Sequence, residues 1–487
     1  MTDIVTPLQA MPSEMLERAA ADRHRPAFHF TSPAGWLNDP NGLTQRDGVF
    51  HLFYQFNPFA AVHDRIHWGH AISEDLVNWR DLPIALAPSE GPDVDGCWSG
   101  VLVYDGDVPT IVYSGRHGDQ ELPCLATGSG DLVTWTKDTG NPAIAAPPPD
   151  LDIVAFRDHC VWREGDTWRQ IIGAGIRGQG GTALMYESPD LRQWNYLGPL
   201  LVGDSEDRPR DAPDWTGTMW ECVDLFHLDA DDVDRDVLVF SAWDEGVTHH
   251  PLYWTGHYEG VHFEPEALHR LDLGGRYFYA PQSMQDAGGR RVLFGWMQEG
   301  RPDAAAVAAG WSGVMSLPRV ATLRADGSLH QAPAPEVSSL RQELLHDGPA
   351  EGASVRGDQL DLELDIDLPE GGSVELAVLA SRQGDERSVY RVSRSDGEAT
   401  ILLDRSRSSL DSDVDTGELS GAFPMSGDRV AVRVLVDHSA LEAFVNGVPL
   451  AARAYPTLRD AVGVEIQASG ARVHLRAWEM SAAATPR

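Results

Sequence analysis

Three acidic residues of this 487-residue chain lie in apolar or aromatic surroundings that suit a carboxyl group for catalysis. Asp39 lies in the stretch Trp36–Gly42, Asp158 follows an arginine, and Glu221 lies between a tryptophan and a cysteine. Hydrolysis of a glycosidic bond with retention needs two carboxyl groups about 5–5.5 Å apart. One attacks the anomeric carbon, and the other protonates the leaving oxygen. The three residues are therefore candidates for this chemistry.

Each carboxyl has a predicted role and a structural alternative. Asp39 is the predicted nucleophile, because Asn38 and Gln55 could donate hydrogen bonds that keep it ionised. Glu221 is the predicted acid/base, because an apolar setting favours a general acid. The alternative for Asp39 is a tight turn without chemistry, since Asn-Asp-Pro-Asn-Gly is rich in turn residues. Glu221 could instead cap a turn, and Asp158 could belong to a surface Arg–Asp pair.

The carboxyls belong to a series of short motifs along residues 27–480. After Trp36–Gly42 the series comprises Phe53-Tyr54-Gln55, Trp68-Gly69-His70-Ala71, Trp98-Ser99-Gly100, Phe156-Arg157-Asp158, Trp220-Glu221-Cys222, Phe278–Gln282, Gly295-Trp296-Met297, Met315–Arg319, and Asp437-His438-Ser439 with Glu442 and Phe444. In this order the motifs resemble glycoside hydrolase family 32, the family of invertases, levanases and inulinases. The resemblance implies a retaining, exo-acting β-fructofuranosidase that acts on sucrose or short fructo-oligosaccharides through a covalent fructosyl-enzyme intermediate.

The resemblance also implies a substrate-binding set. Asp158 would hold sugar hydroxyls and stabilise the transition state, and Arg157 beside it would keep it charged. Four tryptophans could be platforms for the apolar faces of the sugar, or could be core residues. The complete predicted binding set is Trp36, Asn38, Gln55, Trp68, Trp98, Ser99, Arg157, Tyr279 and Trp296. His159 stands where the family's common Arg-Asp-Pro pattern has proline, and its role stays open.

An internal repeat predicts the fold. Ser73–Trp79 recurs at 129–135 and at 188–194, each time as S-x-D-L-x-x-W. A period of this size in a chain of short apolar runs is typical of propeller blades, and about 300 residues would give five. We therefore predict an all-β chain with an N-terminal extension (1–26) that holds a short helix, a five-bladed β-propeller (27–330), a linker (331–352) and a β-sandwich (353–487).

Charge and composition narrow the partners. The formal net charge of −36 disfavours nucleic acid and anionic membranes, so the predicted partner is a small sugar. No apolar stretch is long enough for a membrane span and no signal pattern opens the chain, so a cytoplasmic location is expected. The four cysteines are widely spaced, which favours reduced thiols. The acidic run at 229–234 lacks the glycine and glutamate of a calcium loop, and we predict no metal and no cofactor.

Three alternative functions remain open, and the sequence carries no prediction of oligomeric state. A fructosyltransferase would share the covalent intermediate but pass it to a sugar. A sucrose-6-phosphate hydrolase would act on a phosphorylated substrate. A non-catalytic sugar-binding propeller belongs to a different class, and retention of all three carboxyls argues against it.

Overall fold

A computed structural model of the chain describes residues 5–230 and 233–484. Over these residues it contains three α-helices, α1 (Pro7–Ala10), α2 (Ser13–Ala21) and α3 (Asp303–Ala309), and two 3₁₀ helices at Gly275–Tyr277 and Pro335–Leu340. Strands make up most of the remaining regular structure. The all-β prediction is thus confirmed, and so is the short helix near the N-terminus. Among the described residues no helix is long and apolar enough to cross a membrane.

Residues 35–333 form five sheets. The first contains β1 (Gly35–Arg46), β2 (Val49–Asn57), β3 (His67–Ser73) and β4 (Arg80–Asp81), with β19 (Trp311–Ser312) beside β1. The second contains β5 (Gly96–Asp105), β6 (Val108–His117), β7 (Gln120–Gly128) and β8 (Trp135–Lys137). The third contains β9 (Ile153–Glu164), β10 (Thr167–Ile176), β11 (Gly180–Ser188) and β12 (Asn195–Val202). The fourth contains β13 (Met219–Ala230), β14 (Val233–Asp244), β15 (Val247–Tyr258) and β16 (Phe263–Arg270). The fifth contains β17 (Tyr279–Gln285), β18 (Arg291–Met297), β20 (Val314–Met315), β21 (Arg319–Leu323) and β22 (Leu329–Pro333).

The first strand of each sheet contacts the first strand of the next. Strand β1 contacts β5, β5 contacts β9, β9 contacts β13, β13 contacts β17, and β17 contacts β1 again. The five first strands therefore form a closed ring. The ring is reinforced where β19, from late in the sequence, pairs in parallel with the start of β1.

The repeated S-x-D-L-x-x-W segments are the turns between the third and fourth strands of the first three sheets. In each turn the leucine is buried and has a left-handed backbone, with φ near 60–65° at Leu76, Leu132 and Leu191. The tryptophan indole N–H donates to that leucine's carbonyl oxygen at 2.9, 3.0 and 2.8 Å in the three copies. The repeat therefore encodes one turn structure used three times.

The C-terminal part consists of two six-stranded antiparallel sheets. One contains β23 (Arg341–Pro349), β25 (Gln359–Asp367), β30 (Arg429–Asp437), β31 (Ala440–Val445), β32 (Val448–Arg453) and β34 (Arg472–Met480). The other contains β24 (Val355–Arg356), β26 (Ser373–Ala380), β27 (Arg387–Ser395), β28 (Glu398–Arg407), β29 (Leu419–Ala422) and β33 (Gly463–Ser469). Side chains of both sheets, such as Leu362 and Leu376, share one hydrophobic core, so the sheets pack face to face.

The predicted linker at 331–352 is largely wrong. Its first three residues complete β22, and residues 341–349 form β23, which pairs with β34 at the edge of a six-stranded sheet. Most side chains of β23 are exposed or half-buried, so the strand lacks the alternation of apolar and polar residues that identifies a strand in a sequence. Only the proline-containing segment around the 3₁₀ helix Pro335–Leu340 connects the two parts.

A buried charged cluster joins the C-terminal sheets to the N-terminal part. Asp437 accepts the backbone N–H groups of residues 27–29, and its Oδ2 lies 2.9 Å from Nδ1 of His29. The other ring nitrogen of His29 lies 3.2 Å from Glu442, which also receives two hydrogen bonds from Arg319. Burial would raise the pKa of Glu442, but Arg319 and His29 hold it at about 2. Removing any member would leave a buried charge without its partner.

Candidate active site

Each first strand of the ring carries an extra residue, a β-bulge, at a predicted site motif, and β1 and β9 each have a second shift in pairing. The pairing with the second strand shifts at 37–40 in β1, 97–100 in β5, 157–159 in β9, 221–224 in β13 and 279–282 in β17. Three bulge residues, Asp158, Cys222 and Ala280, have φ of 64°, 48° and 49°. Such a backbone costs about 1–3 kcal/mol per residue and re-aims the side chains beside it. The five bulges therefore place the motifs around one point.

The three predicted catalytic carboxyls line one cavity of about 710 Å³. Most of the predicted binding residues line the same cavity. They are Trp36, Asn38, Gln55, Trp98, Ser99, Arg157, Tyr279 and Trp296. Residues more than 180 positions apart in the sequence thus meet in one place, and the three carboxyls come from three different sheets of the ring.

Asp39 is held by short polar contacts on both carboxylate oxygens. The amide of Asn38 donates to Oδ1 at 3.1 Å, and the hydroxyl of Ser99 donates to Oδ2. Gln55 does not contact Asp39 directly but donates to Ser99 Oγ at 2.7 Å. Burial and the negative charge of Glu221 raise the pKa of Asp39 to about 6, against the hydrogen bonds from Ser99 and Asn38. Asp39 is therefore a fixed carboxylate with raised basicity.

Asp158 faces the same cavity, and Cys222 connects it to Asp39. The backbone N–H of Cys222 donates to Asp158 Oδ2 at 2.9 Å. The sulfur of Cys222 lies 3.5 Å from Oδ2 of both Asp158 and Asp39. Burial raises the pKa of Asp158 to about 7, and the charges of Glu221 and Asp39 act in the same direction while Arg157 opposes them. The two aspartates thus share one crowded, weakly hydrated region.

Glu221 is fixed by Arg157 and Tyr279. Arg157 donates to Oε1 from Nε at 3.1 Å and from Nη2 at 2.7 Å, and the Tyr279 hydroxyl donates to Oε2 at 2.6 Å. Arg157 also donates to Glu121 at 2.9 Å. Its side-chain hydrogen bonds go to these glutamates, so Arg157 affects neighbouring Asp158 through charge rather than through the direct pairing expected from the sequence.

The predicted role of Trp68 as a sugar platform is wrong. Its side chain is fully buried and fills the space between the first two sheets, together with Phe53 and Tyr113. Its indole N–H donates to the carbonyl oxygen of Trp98 at 3.0 Å, so Trp68 supports the strand that carries a cavity residue. His159 also does not line the large cavity; it is buried beside Asp158.

Sequence reasoning missed several residues of the cavity wall. They include His63, Arg116, Glu121, Trp243 and Gln298. The guanidinium of Arg116 lies 4.5 Å from the ring centre of Trp98, and that of Arg157 lies 4.9 Å from Trp243. These residues stand at loop edges and strand ends without a distinctive motif. The only sequence signal for Trp243 is its place at the end of an apolar run.

Comparison with known proteins identifies similar chains over nearly the whole length. The model of the glycosyl hydrolases family 32 N-terminal domain matches residues 29–333, and that of the family 32 C terminal matches residues 321–480. A fructan 6-exohydrolase of Beta vulgaris is 32% identical over 90% of this chain and 82% of its own length. A sucrose-6-phosphate hydrolase of Zymomonas mobilis subsp. mobilis is 34% identical over 88% of this chain and 85% of its own.

Solved structures are also similar to this chain over nearly its whole length. The crystal structure of fructan 1-exohydrolase IIa from Cichorium intybus superposes with a TM-score of 0.83 at 27% identity, covering 95% of this chain and 98% of the other. A β-fructofuranosidase of Bombyx mori, solved in complex with sucrose, superposes with a TM-score of 0.77 at 26% identity, covering 97% and 98%.

Proposed function

Because the chain belongs to glycoside hydrolase family 32, we propose that it is a retaining, exo-acting β-fructofuranosidase. It would hydrolyse terminal β-D-fructosyl residues of sucrose or short fructo-oligosaccharides. The observation that carries this proposal is the cavity in which Asp39, Asp158 and Glu221 meet, each held by its own hydrogen bonds. The named activities of the relatives, fructan exohydrolase and β-fructofuranosidase, support the same substrate class.

The arrangement supports a two-step mechanism. Asp39 attacks the anomeric carbon of the fructosyl unit while Glu221 gives its proton to the leaving oxygen. Water then attacks from the face that the leaving group vacated, and Glu221 takes the water's proton. Asp158 holds sugar hydroxyls between these two groups. Two inversions give net retention, so the first product is β-fructofuranose.

We propose a neutral sugar rather than a phosphorylated one. Arginine and lysine side chains bind a phosphate group most strongly where no carboxylate already balances their positive charge. In the described part of the chain, both arginines of the cavity wall are already paired with carboxylates. Arg116 lies 2.7 Å from Glu121, and Arg157 pairs with Glu121 and Glu221 at 2.9 and 2.7 Å. This pairing disfavours sucrose 6-phosphate, although relatives with that activity are similar in sequence.

We propose further that the five N-terminal sheets are the blades of a five-bladed β-propeller and that the two six-stranded sheets form a β-sandwich. The closed ring of first strands and the thrice-used turn support the blade count. In domain terms, residues 27–333 would be the catalytic propeller, and residues from 341 onward the sandwich. The cytoplasmic location expected from the sequence stays a prediction.

A substrate panel with the purified protein tests the function. The kcat/KM for fructose release from sucrose and from 1-kestose should exceed that for sucrose 6-phosphate at least tenfold. A bound phosphate would need at least one hydrogen bond from a charged group, and the loss of one such bond costs about this factor. Equal yields of glucose and fructose at high sucrose concentration would exclude a fructosyltransferase. If no substrate released fructose, the non-catalytic sugar-binding propeller would be the remaining alternative. NMR in the first seconds of hydrolysis should show β-fructofuranose; initial α-fructose would overturn Asp39 as nucleophile.

A further inference from the structure

We propose that His159 is a positioning residue that fixes the backbone of Asp158 through the hydroxyl of Ser114. The inference rests on the proposed function for its catalytic consequence. Asp158 is the extra residue of the bulge in β9: its neighbours Arg157 and His159 pair with Gly173 and Ile172, and Asp158 has no partner on β10. Its φ of 64° lies in a region that residues other than glycine rarely adopt. Contacts outside the strand pair must therefore hold it.

The backbone N–H of Asp158 finds its acceptor in Ser114. The distance from the Asp158 nitrogen to Ser114 Oγ is 3.0 Å, and Ser114 lies on β6 of the second sheet. The same oxygen lies 3.0 Å from Nε2 of His159. Ser114, Asp158 and His159 are all buried. Two hydrogen bonds that share Ser114 Oγ thus connect the backbone of the bulge to the imidazole.

The direction of these bonds follows from the number of donors. The Asp158 N–H occupies one lone pair of Ser114 Oγ, so the serine hydroxyl proton needs an acceptor of its own. The only side-chain acceptor bonded to Ser114 among the described residues is His159 Nε2. The serine therefore donates to Nε2, and the imidazole carries its proton on Nδ1. The bond to Nε2 orients the hydroxyl so that a lone pair of Oγ faces the Asp158 N–H.

The surroundings of the other ring nitrogen of His159, Nδ1, agree with a proton on Nδ1. Its Nδ1 is buried without a hydrogen-bond partner of good geometry, and the amide of Gln170, also buried, has no partner for either polar atom. Burial lowers the pKa of His159 to about 3, although Gln170 beside the ring acts in the opposite direction. The ring is consequently neutral at physiological pH and can serve as a permanent acceptor.

The position of Ser114 matters because contacts fix both the side chain and the backbone of Asp158. Its carboxylate is held by the Cys222 N–H, and its backbone is held by Ser114. Loss of the second anchor leaves the strained bulge free to relax, which moves the carboxylate that lines the cavity. His159 would therefore influence sugar binding without contacting the sugar.

The test compares His159→Leu with His159→Gln and a matched control. The glutamine oxygen can take the place of Nε2 as acceptor, whereas leucine cannot. His159→Leu should weaken fructose binding, measured by calorimetry, and lower kcat/KM, each about tenfold, while His159→Gln should recover most of both. His70→Leu is the control, because His70 is equally buried and bonded to His51 but is remote from the cavity. It should lower the melting temperature alone.

Two further measurements separate positioning from mere stability. In an Asp158→Asn background, His159→Leu should have no additional effect on fructose binding; a full tenfold effect there would overturn the inference. Hydrogen exchange at the Asp158 amide should be slow in the wild type and faster in His159→Leu and Ser114→Ala, but not in His70→Leu. Unchanged exchange overturns the inference whatever the enzyme's activity, whereas a wild type that releases no fructose overturns the proposed function alone.

Discussion

Arg157 and Glu221 form a bidentate contact in which two guanidinium nitrogens, at 3.1 and 2.7 Å, donate to the same carboxylate oxygen, Oε1. Both residues come from first strands of adjacent sheets, β9 and β13. The remaining oxygen, Oε2, accepts the hydroxyl of Tyr279 from a third sheet at 2.6 Å. The plane of the acid/base carboxyl is thus set before any substrate enters.

Tyr279→Phe should lower kcat about ten- to a hundredfold with little change in KM, because a hydrogen bond to a charged group is worth about 1.5–3 kcal/mol. Tyr277→Phe is a matched control, since Tyr277 is equally buried but its hydroxyl bonds to Asp415. Steady-state kinetics on sucrose measures both. An unchanged kcat for Tyr279→Phe would mean that Tyr279 does not orient Glu221 during the reaction.

Asp39→Asn should reduce turnover at least a thousandfold while the fold is kept, because an amide of nearly the same shape cannot attack the sugar. Sucrose binding should persist, measured by calorimetry on the purified variant. Residual activity above about a tenth of wild type would exclude Asp39 as nucleophile.

The acid limb of the kcat/KM profile should lie near pH 6, because Asp39 must be ionised to attack and burial raises its pKa to about 6. Activity is therefore present above this pH and is lost as the pH falls through it. Ser99→Ala should move the limb to higher pH, since the Ser99 hydroxyl lowers the pKa of Asp39. Ser283→Ala, whose hydroxyl bonds to Asp224 instead, should leave the limb in place. A limb that stays fixed in Ser99→Ala contradicts the assignment.

Trp36 and Trp68 should respond in opposite ways to substitution. Trp36→Ala should raise KM for sucrose about tenfold, because its ring lines the cavity where a sugar face can pack. Trp68→Phe should lower the melting temperature without changing KM, because its side chain is a fully buried core residue. Thermal unfolding and kinetics on both variants check the pair, and a raised KM for Trp68→Phe alone would reverse our assignment.

The buried His29 should make stability depend on pH. Burial alone would lower its pKa, but hydrogen bonds to Asp437 and Glu442 raise it above the ordinary 6.5. The stabilisation is therefore complete below pH 6.5 and is lost as the pH rises through the folded-state pKa. His29→Gln should be much less stable than wild type at pH 6, with a smaller difference at pH 9, by denaturant unfolding. For His70→Gln, whose parent histidine has a pKa well below 6.5, the difference should change in the opposite direction.

Much of the site could be predicted because its residues lie in compact motifs at the ring. Asp39, Asp158 and Glu221 each have neighbours of distinctive type in the sequence. The repeat that begins with Ser73–Trp79 indicated the first three sheets. The bulges were not predicted, because the sequence around them has no strict alternation of apolar and polar residues that an extra residue would interrupt. Trp68 and Trp98 look alike in sequence, and only the packing between two sheets decides that Trp68 is core. The edge strand β23 was missed because its exposed side chains show no alternation.

The parallel pairing of β19 with β1 has a temporal consequence. Residues 311–312 hold down Gly35 and Trp36, at the start of the strand that carries Asp39. During translation, Asp39 is synthesised long before residues 311–312, which pair with the start of its strand. A nascent chain therefore contains all three carboxyls once residue 221 has been added. The segment that pairs with the start of β1 is absent until residue 312 has emerged from the ribosome. Activity should therefore appear only after β1 has paired with β19, a segment from the end of the N-terminal part of the chain.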